Sequence, residues 1–248
     1  MPATCVKDFA LTITEFRLMA YWTMNETAGG DGGPRTDEVD GIVLTPTAGT
    51  TWTAGGKIGA AVRWFAFNTG TLGSQLTEPD LLYNGTGIAF FGWIRIPLAL
   101  AGTQAPLVNY KFIDNGGGVV GELDCTYDAD TTTINCVLSG FGAPISIALV
   151  QNIADSAFHF FVIWYDIADR KLHISIDNGV VTDSPTALAS ILLGFPNGRL
   201  TFIKLSALID VILDEFGIFV GTPTAACRTA LYNGTLGITW PAAETACN

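Results

Sequence analysis

The stretch HFFVIWYDIADRKLHISIDNGVV, His159 to Val181, decides how the rest of the chain is read. Its first part, read with the preceding Phe158 as Phe158 to Tyr165, is apolar at every position except His159, which fits a central strand covered on both faces. Ile167-Ala168-Asp169-Arg170 supplies a turn in which an aspartate can accept local backbone amides. Strict alternation follows, with Leu172, Ile174 and Ile176 on one face and Lys171, His173 and Ser175 on the other. Asp177-Asn178-Gly179 is a second tight turn, made of residues that tolerate positive φ. The stretch predicts a three-stranded meander.

The same period-2 grammar extends outward in both directions. Strands are predicted at Phe9 to Phe16, Ile42 to Thr45, Ala60 to Phe65, Gly87 to Ile96, Ala105 to Phe112 and Val119 to Tyr127. Further strands follow at Thr133 to Leu138, Ser146 to Val150, Ala157 to Tyr165, Lys171 to Ile176, Leu200 to Lys204 and Ile212 to Val220. One helix is predicted, over Ala225 to Tyr232, opened by Thr222-Pro223 and stopped by Asn233-Gly234. The expected fold is all-β: a two-sheet antiparallel jelly roll with one short C-terminal helix. No composition shift marks a linker, so 21–241 is read as one domain, with 1–20 as an N-terminal arm or added strand and 242–248 as a tail.

Composition excludes whole classes of function. Hydrophobic residues are 49% of the 248 and charged residues 14%, which rules out a disordered chain. The net charge is −11 and the cations are scattered, so no basic track exists for a nucleic acid. The apolar runs are too short or too interrupted by acids to span a bilayer as helices. The N-terminus, MPATCVKDFALTITEF, lacks the basic start and cleavage site of an export signal, which leads to an expectation of cytoplasmic synthesis. Three Asn-x-Thr sequons, at Asn25, Asn84 and Asn233, are then coincidental. Free thiols are the default for the odd set Cys5, Cys125, Cys136, Cys227 and Cys247. In CTYDADTTTINC, however, Cys125 and Cys136 flank a turn symmetrically, leaving open a cross-strand disulfide or two adjacent buried thiols.

Five blocks in order carry a resemblance. They are Tyr21 to Glu26 with Asp40 to Leu44, Gly56 to Trp64, Gly87 to Ile94, Trp164 to Gly179, and Leu213 to Phe219 with Arg228 to Gly234. Together they resemble the laminin-G-like branch of the concanavalin A-like lectin/glucanase superfamily. The resemblance implies a jelly roll with one concave and one convex sheet. Asp177-Asn178-Gly179 departs from the family's usual Asp-Gly, and Asn109 to Gln151 does not align.

The superfamily includes glycoside hydrolases, so paired carboxylates are the first chemistry to check. A retaining glycosidase holds two carboxyl groups about 5–5.5 Å apart. The glucanase branch carries E-x-D-x-x-E on one strand, and this chain does not match it. Glu122 and Asp124 have i, i+2 spacing but no third carboxylate, and they read as a solvated strand face. Alternation sends Asp214 and Glu215 to opposite faces. His159 and His173, the only imidazoles, sit at a strand end and on an outer face without a nucleophile beside them. No catalytic residue is assigned, and a non-enzyme is expected. The resemblance further implies a structural calcium ion held by Asp214 with Glu26, near the oxygen-rich loop of Asp31, Asp37 and Asp40. The other reading is that these acids cap turns.

Two functions follow. The first is a bacteriophage virion protein: a capsid decoration, head-fibre or tail-associated subunit located in the virion. Its partners would be other virion proteins and copies of itself, consistent with a mean hydropathy of +0.39. The second is a lectin-like adhesion module binding host glycan, with Trp52 and Tyr83 in polar, loop-like contexts suited to stacking on sugar. Trp22, Trp64, Trp93 and Trp164 are expected in the core.

Overall fold

The structure, a computed structural model, describes residues 17–25, 33–46, 50–53, 55–64, 71–77, 87–96, 104–114, 116–189, 197–203, 211–239, 241–245 and 247. Its strands are β1 (Arg17–Trp22), β2 (Arg35–Thr36), β3 (Val43–Pro46), β4 (Thr50–Thr53), β5 (Ala61–Trp64), β6 (Thr71–Thr77), β7 (Gly87–Arg95) and β8 (Gln104–Ile113). They continue as β9 (Val119–Asp128), β10 (Thr133–Ser139), β11 (Ile145–Val150), β12 (Phe158–Asp166), β13 (Lys171–Ile176), β14 (Thr182–Asp183), β15 (Asn197–Ile203) and β16 (Val211–Val220). Two helices close the chain, α1 (Ala225–Tyr232) and the one-turn α2 (Ala242–Thr245). The protein is therefore mostly β, with one longer helix near its C-terminus. No helix among the described residues is long and apolar enough to cross a membrane.

Among the described residues every strand pair is antiparallel, and the strands form two sheets of eight. The first runs β14-β13-β12-β7-β16-β5-β4, with β1 also pairing β16; the second runs β11-β10-β9-β8-β15-β6-β3-β2. Alternation explains how they meet. Phe90 and Ile94 of β7, Phe161, Ile163 and Tyr165 of β12, and Tyr110, Phe112, Leu123 and Ile134 of the second sheet share one buried core. The Phe90 and Tyr110 rings, 5.2 Å apart, join the sheets directly. On the other face of β12, Phe160, Val162 and Trp164 pack with Trp93, Cys227 and Leu231 in a smaller core beneath α1. This is why β12 carries no polar face.

The meander forms as its sequence predicts. Trp164 pairs with His173, and His173 with Asp183. Asp177 and Asn178 take φ of 53° and 55°, the left-handed pair of a tight hairpin turn. One expectation changes: the His173 and Ser175 face is buried rather than open, His173 stacking on Trp164 and Ser175 donating to the Gly179 carbonyl. The helix spans the predicted residues, but its cap is Thr224, whose hydroxyl accepts the Cys227 amide at 3.1 Å. Asn233, in the left-handed region, ends it.

Other differences are long-range. β1 begins at Arg17, inside the segment read as an arm, and pairs with β16 from Arg17–Val220 to Trp22–Phe216. The predicted strand Phe9 to Phe16 lies outside the described residues. Four cysteines are disulfide-bonded. Cys125 faces Cys136 in the β9–β10 register, with Cα atoms 4.1 Å apart, and Cys227 joins Cys247. The default of free thiols does not describe these four.

Candidate functional site

Of the residues proposed for calcium and its loop, Asp214 and Asp37 bind backbone amides. Asp214 is fully buried on β16, and its carboxylate accepts the amides of Ile58, at 2.8 Å, Lys57 and Glu215. Its oxygens face N–H donors, an arrangement that fixes a loop. Burial pushes its carboxyl up to about 7, against the pull of those amides. Asp37 also acts on backbone, accepting the amides of Tyr21, Val39 and Asp40. No metal-binding group among the described residues includes Asp214, Asp37 or Asp40. Glu26 and Asp31 lie outside the described residues. Asp214 thus ties the central strand to the Gly56–Ala60 loop.

Simple alternation also fails at Asp214 and Glu215. A bulge interrupts the pairing of β16 with β7 between Asp214 and Gly217, and Glu215 takes a φ of 50°. Both acids are buried. The Tyr21 hydroxyl reaches Glu215 and the Ile238 carbonyl, and burial, then Glu215, holds the phenol far above its ordinary range. Tyr21 therefore stays a donor. This cluster welds β1, β16 and the C-terminal segment, and no chemistry needs to be assigned to it.

Trp52 lies on β4, the edge strand of the first sheet, paired with Val62; its side chain is outside the described residues, as is Tyr83. The sugar-stacking role nominated for these two aromatics thus falls outside the described side chains.

A polar constellation assembles instead on the outer face of the second sheet. In β8, Val108, Tyr110 and Phe112 enter the core, which turns Asn109 and Lys111 outward. In β9, Leu123, Cys125 and Tyr127 enter the core, which turns Glu122 and Asp124 outward. The register sets Asn109 opposite Asp124 and Lys111 opposite Glu122, with Arg199 of β15 across from Lys111. The Asn109 side-chain amide donates to Glu122 at 2.6 Å and to Asp124 at 3.2 Å, while Lys111 lies 3.8 Å from Glu122.

Two features distinguish this patch from a solvated strand face. Asn109 is only 7% exposed, and its carbonyl oxygen, buried, has no hydrogen-bond partner. A buried acceptor without a donor carries a desolvation cost of about 1–3 kcal/mol, so it marks a place where a donor belongs. Asp124 is half-buried, and desolvation raises its carboxyl above the usual range, against the Asn109 hydrogen bond. Sequence reading found Glu122 and Asp124 but missed Asn109. The available signal was Val-Asn-Tyr-Lys-Phe, a polar alternation inside an apolar strand.

No protein-family model matches the chain, and a comparison with curated proteins finds no match. Solved structures do resemble it. A botulinum neurotoxin type C structure, described for cell entry that depends on interaction with two ganglioside molecules, shares 12% identity at a TM-score of 0.63, covering 89% of this chain and 51% of that one. The binding domain of botulinum neurotoxin DC in complex with SialylT gives 11% identity and a TM-score of 0.62, over 88% and 51%. The binding domain of Paraclostridial Mosquitocidal Protein 1 gives 13% and 0.59, over 84% and 50%. The likeness is one of fold. The chain spans about half the length of these domains.

Proposed function

We propose that this chain is a lectin-like carbohydrate-binding module without enzymatic activity. The observation that carries the reading is the buried Asn109 side chain, whose amide donates to Glu122 and Asp124 while its carbonyl oxygen has no hydrogen-bond partner. Sugar hydroxyls are donors and acceptors at once. A hydroxyl can donate to the carboxylates that Asn109 holds in place and accept from Lys111 or Arg199, and the charged partners strengthen those bonds. The fold supports the reading, because matched structures are binding domains, two of them described with SialylT or gangliosides. We also read the two sheets as the jelly roll of the laminin-G-like branch, with the five sequence blocks as support.

The virion role expected from the sequence, with its shell partners, homo-oligomer and virion location, finds no support in the matched structures. The carbohydrate-binding alternative is the reading kept.

A glycan array probed with the purified chain and with Asn109→Ala tests the proposal. Binding to a defined glycan class, reduced at least tenfold in Asn109→Ala, is the expected result. An array on which the wild type is silent, or on which Asn109→Ala binds as well, rejects it. Release of free sugar from a bound glycan would overturn the non-enzymatic part.

A further inference from the structure

The only group of His, Cys, Asp or Glu among the described residues whose ligand atoms converge lies elsewhere, at the β12–β13 turn. One ligand atom each from Asp166, Asp169 and His173 lies within 4.8 Å of the others. Asp166 ends β12, Asp169 is in the turn, and His173 is on β13. The His173 ring is held rigidly. It stacks on Trp164 with centroids 4.9 Å apart and planes at 12°, and its Nδ1 lies 2.7 Å from Asp183 on β14.

Carboxylates face both ring nitrogens, and a neutral imidazole can donate to only one of them; the shorter contact is the one to Asp183. Nδ1–H donating to Asp183 leaves the Nε2 lone pair facing Asp169, whose oxygens lie 3.2 and 3.3 Å away. Two lone pairs cannot face each other at that distance unassisted: a second proton or a metal cation must lie between them. The surroundings favour positive charge. Asp166, Asp169 and Asp183 surround one imidazole. The guanidinium of Arg170 turns away to the Ala189 carbonyl, and Arg228 sits over the Trp164 ring. Asp166 accepts the Ala168 amide with one oxygen, leaving the other for a ligand.

His159 provides the contrast. Its nitrogens meet Asp177 at 2.7 Å and Asp155 at 2.9 Å, one carboxylate each, and no converging group forms there. A proton suffices for that pair. At His173 a further carboxylate, Asp166, brings an oxygen within 4.8 Å of the other two ligand atoms.

We propose that Asp166, Asp169 and His173 bind a first-row divalent cation, with zinc the best match. One imidazole nitrogen and two carboxylate oxygens suit zinc, whereas calcium prefers oxygen alone. Asp183 plays the outer role of the carboxylate that orients a ligating histidine. Zinc ligands at about 2.0–2.2 Å would draw the three atoms closer than they now lie, a movement open to Asp169, whose side chain is 45% exposed. Water fills the remaining position.

Isothermal titration of the full chain with zinc chloride, after chelator treatment, tests this. A Cys5→Ser background removes the one cysteine outside the two disulfides. The wild type is expected to bind one zinc ion and to bind calcium much more weakly. Asp166→Asn and Asp183→Asn should each weaken zinc binding by about 10–100-fold. Their unfolding midpoints in chelator should stay near wild type, and His159→Gln should bind zinc normally. The proposal is overturned if the wild type shows no saturable zinc binding, or if Asp166→Asn binds zinc as the wild type does.

Discussion

The carboxylate of Asp214 accepts the backbone amide of Ile58 at 2.8 Å across 156 residues of sequence, joining a central strand to the Gly56–Ala60 loop. Replacing Asp214 by alanine strands several buried amides, each costing about 1–3 kcal/mol when unsatisfied. Asp214→Ala is expected to lose about 3 kcal/mol in urea denaturation, and Asp214→Asn less. A loss below about 0.5 kcal/mol would show that the loop does not depend on this acid.

The same residue predicts a pH dependence. Its folded carboxyl titrates near 7 and its unfolded one near 3.8, so the folded chain holds the proton more tightly. Its contribution to stability should therefore be present at low pH and fall as pH rises from about 4 to about 7. Subtracting the Asp214→Asn profile from the wild-type profile isolates this slope, and a flat difference contradicts it.

His159 gives a second window. Its hydrogen bond to Asp177 first, and then to Asp155, raises its folded pKa above 6.5 despite burial. The stabilisation is complete below 6.5 and lost as pH rises through the higher folded value. Melting temperatures of wild type and His159→Gln should converge at pH 9 and separate at pH 6, with the wild type higher. Equal separation at both pH values would mean that packing, not the proton, matters.

Gly217 sits at the bulge of β16, where an added Cβ would enter the Phe91 ring. Phe91 cannot easily retreat, since Tyr21, Phe160 and Phe219 pack around it. Gly217→Ala is expected to cost about 2 kcal/mol, as overpacking does. Adding Phe91→Leu should cost less in that background than in the wild type, and simple additivity in the double-mutant cycle would refute the clash.

Cys227–Cys247 closes a loop of about 20 residues over the second core. Chain entropy puts its contribution near 3 kcal/mol. Cys227→Ser should lower the urea midpoint accordingly, and reductant should then have less effect on the variant than on the wild type. An unchanged midpoint would indicate that α1 is held by its apolar face alone.

Legibility follows the range of the interaction. β7, β12, β13, β16 and α1 were readable because each announces itself through its own residues: an apolar run, an alternation, or a stop at Asn233-Gly234. β1 was not predicted, and the boundary between arm and domain fell inside it, because its pairing with β16 reaches almost 200 positions away. The short β2 and β14 and the Thr-rich β4 carry too few residues to set a period. At the candidate site, Glu122 and Asp124 were visible as a spaced pair. Asn109 was not, since nothing local places a lone asparagine opposite them.

By itself, then, the sequence determined the strand content, the meander from His159 to Val181 and the late helix, because side-chain periodicity and turn chemistry are local. Tertiary structure alone decided that Asp214 clamps a loop, that Asn109 lies buried between two carboxylates, and that His173 is stacked on Trp164 beside Asp166 and Asp169. Those outcomes depend on register between strands, and register is chosen by the core as a whole.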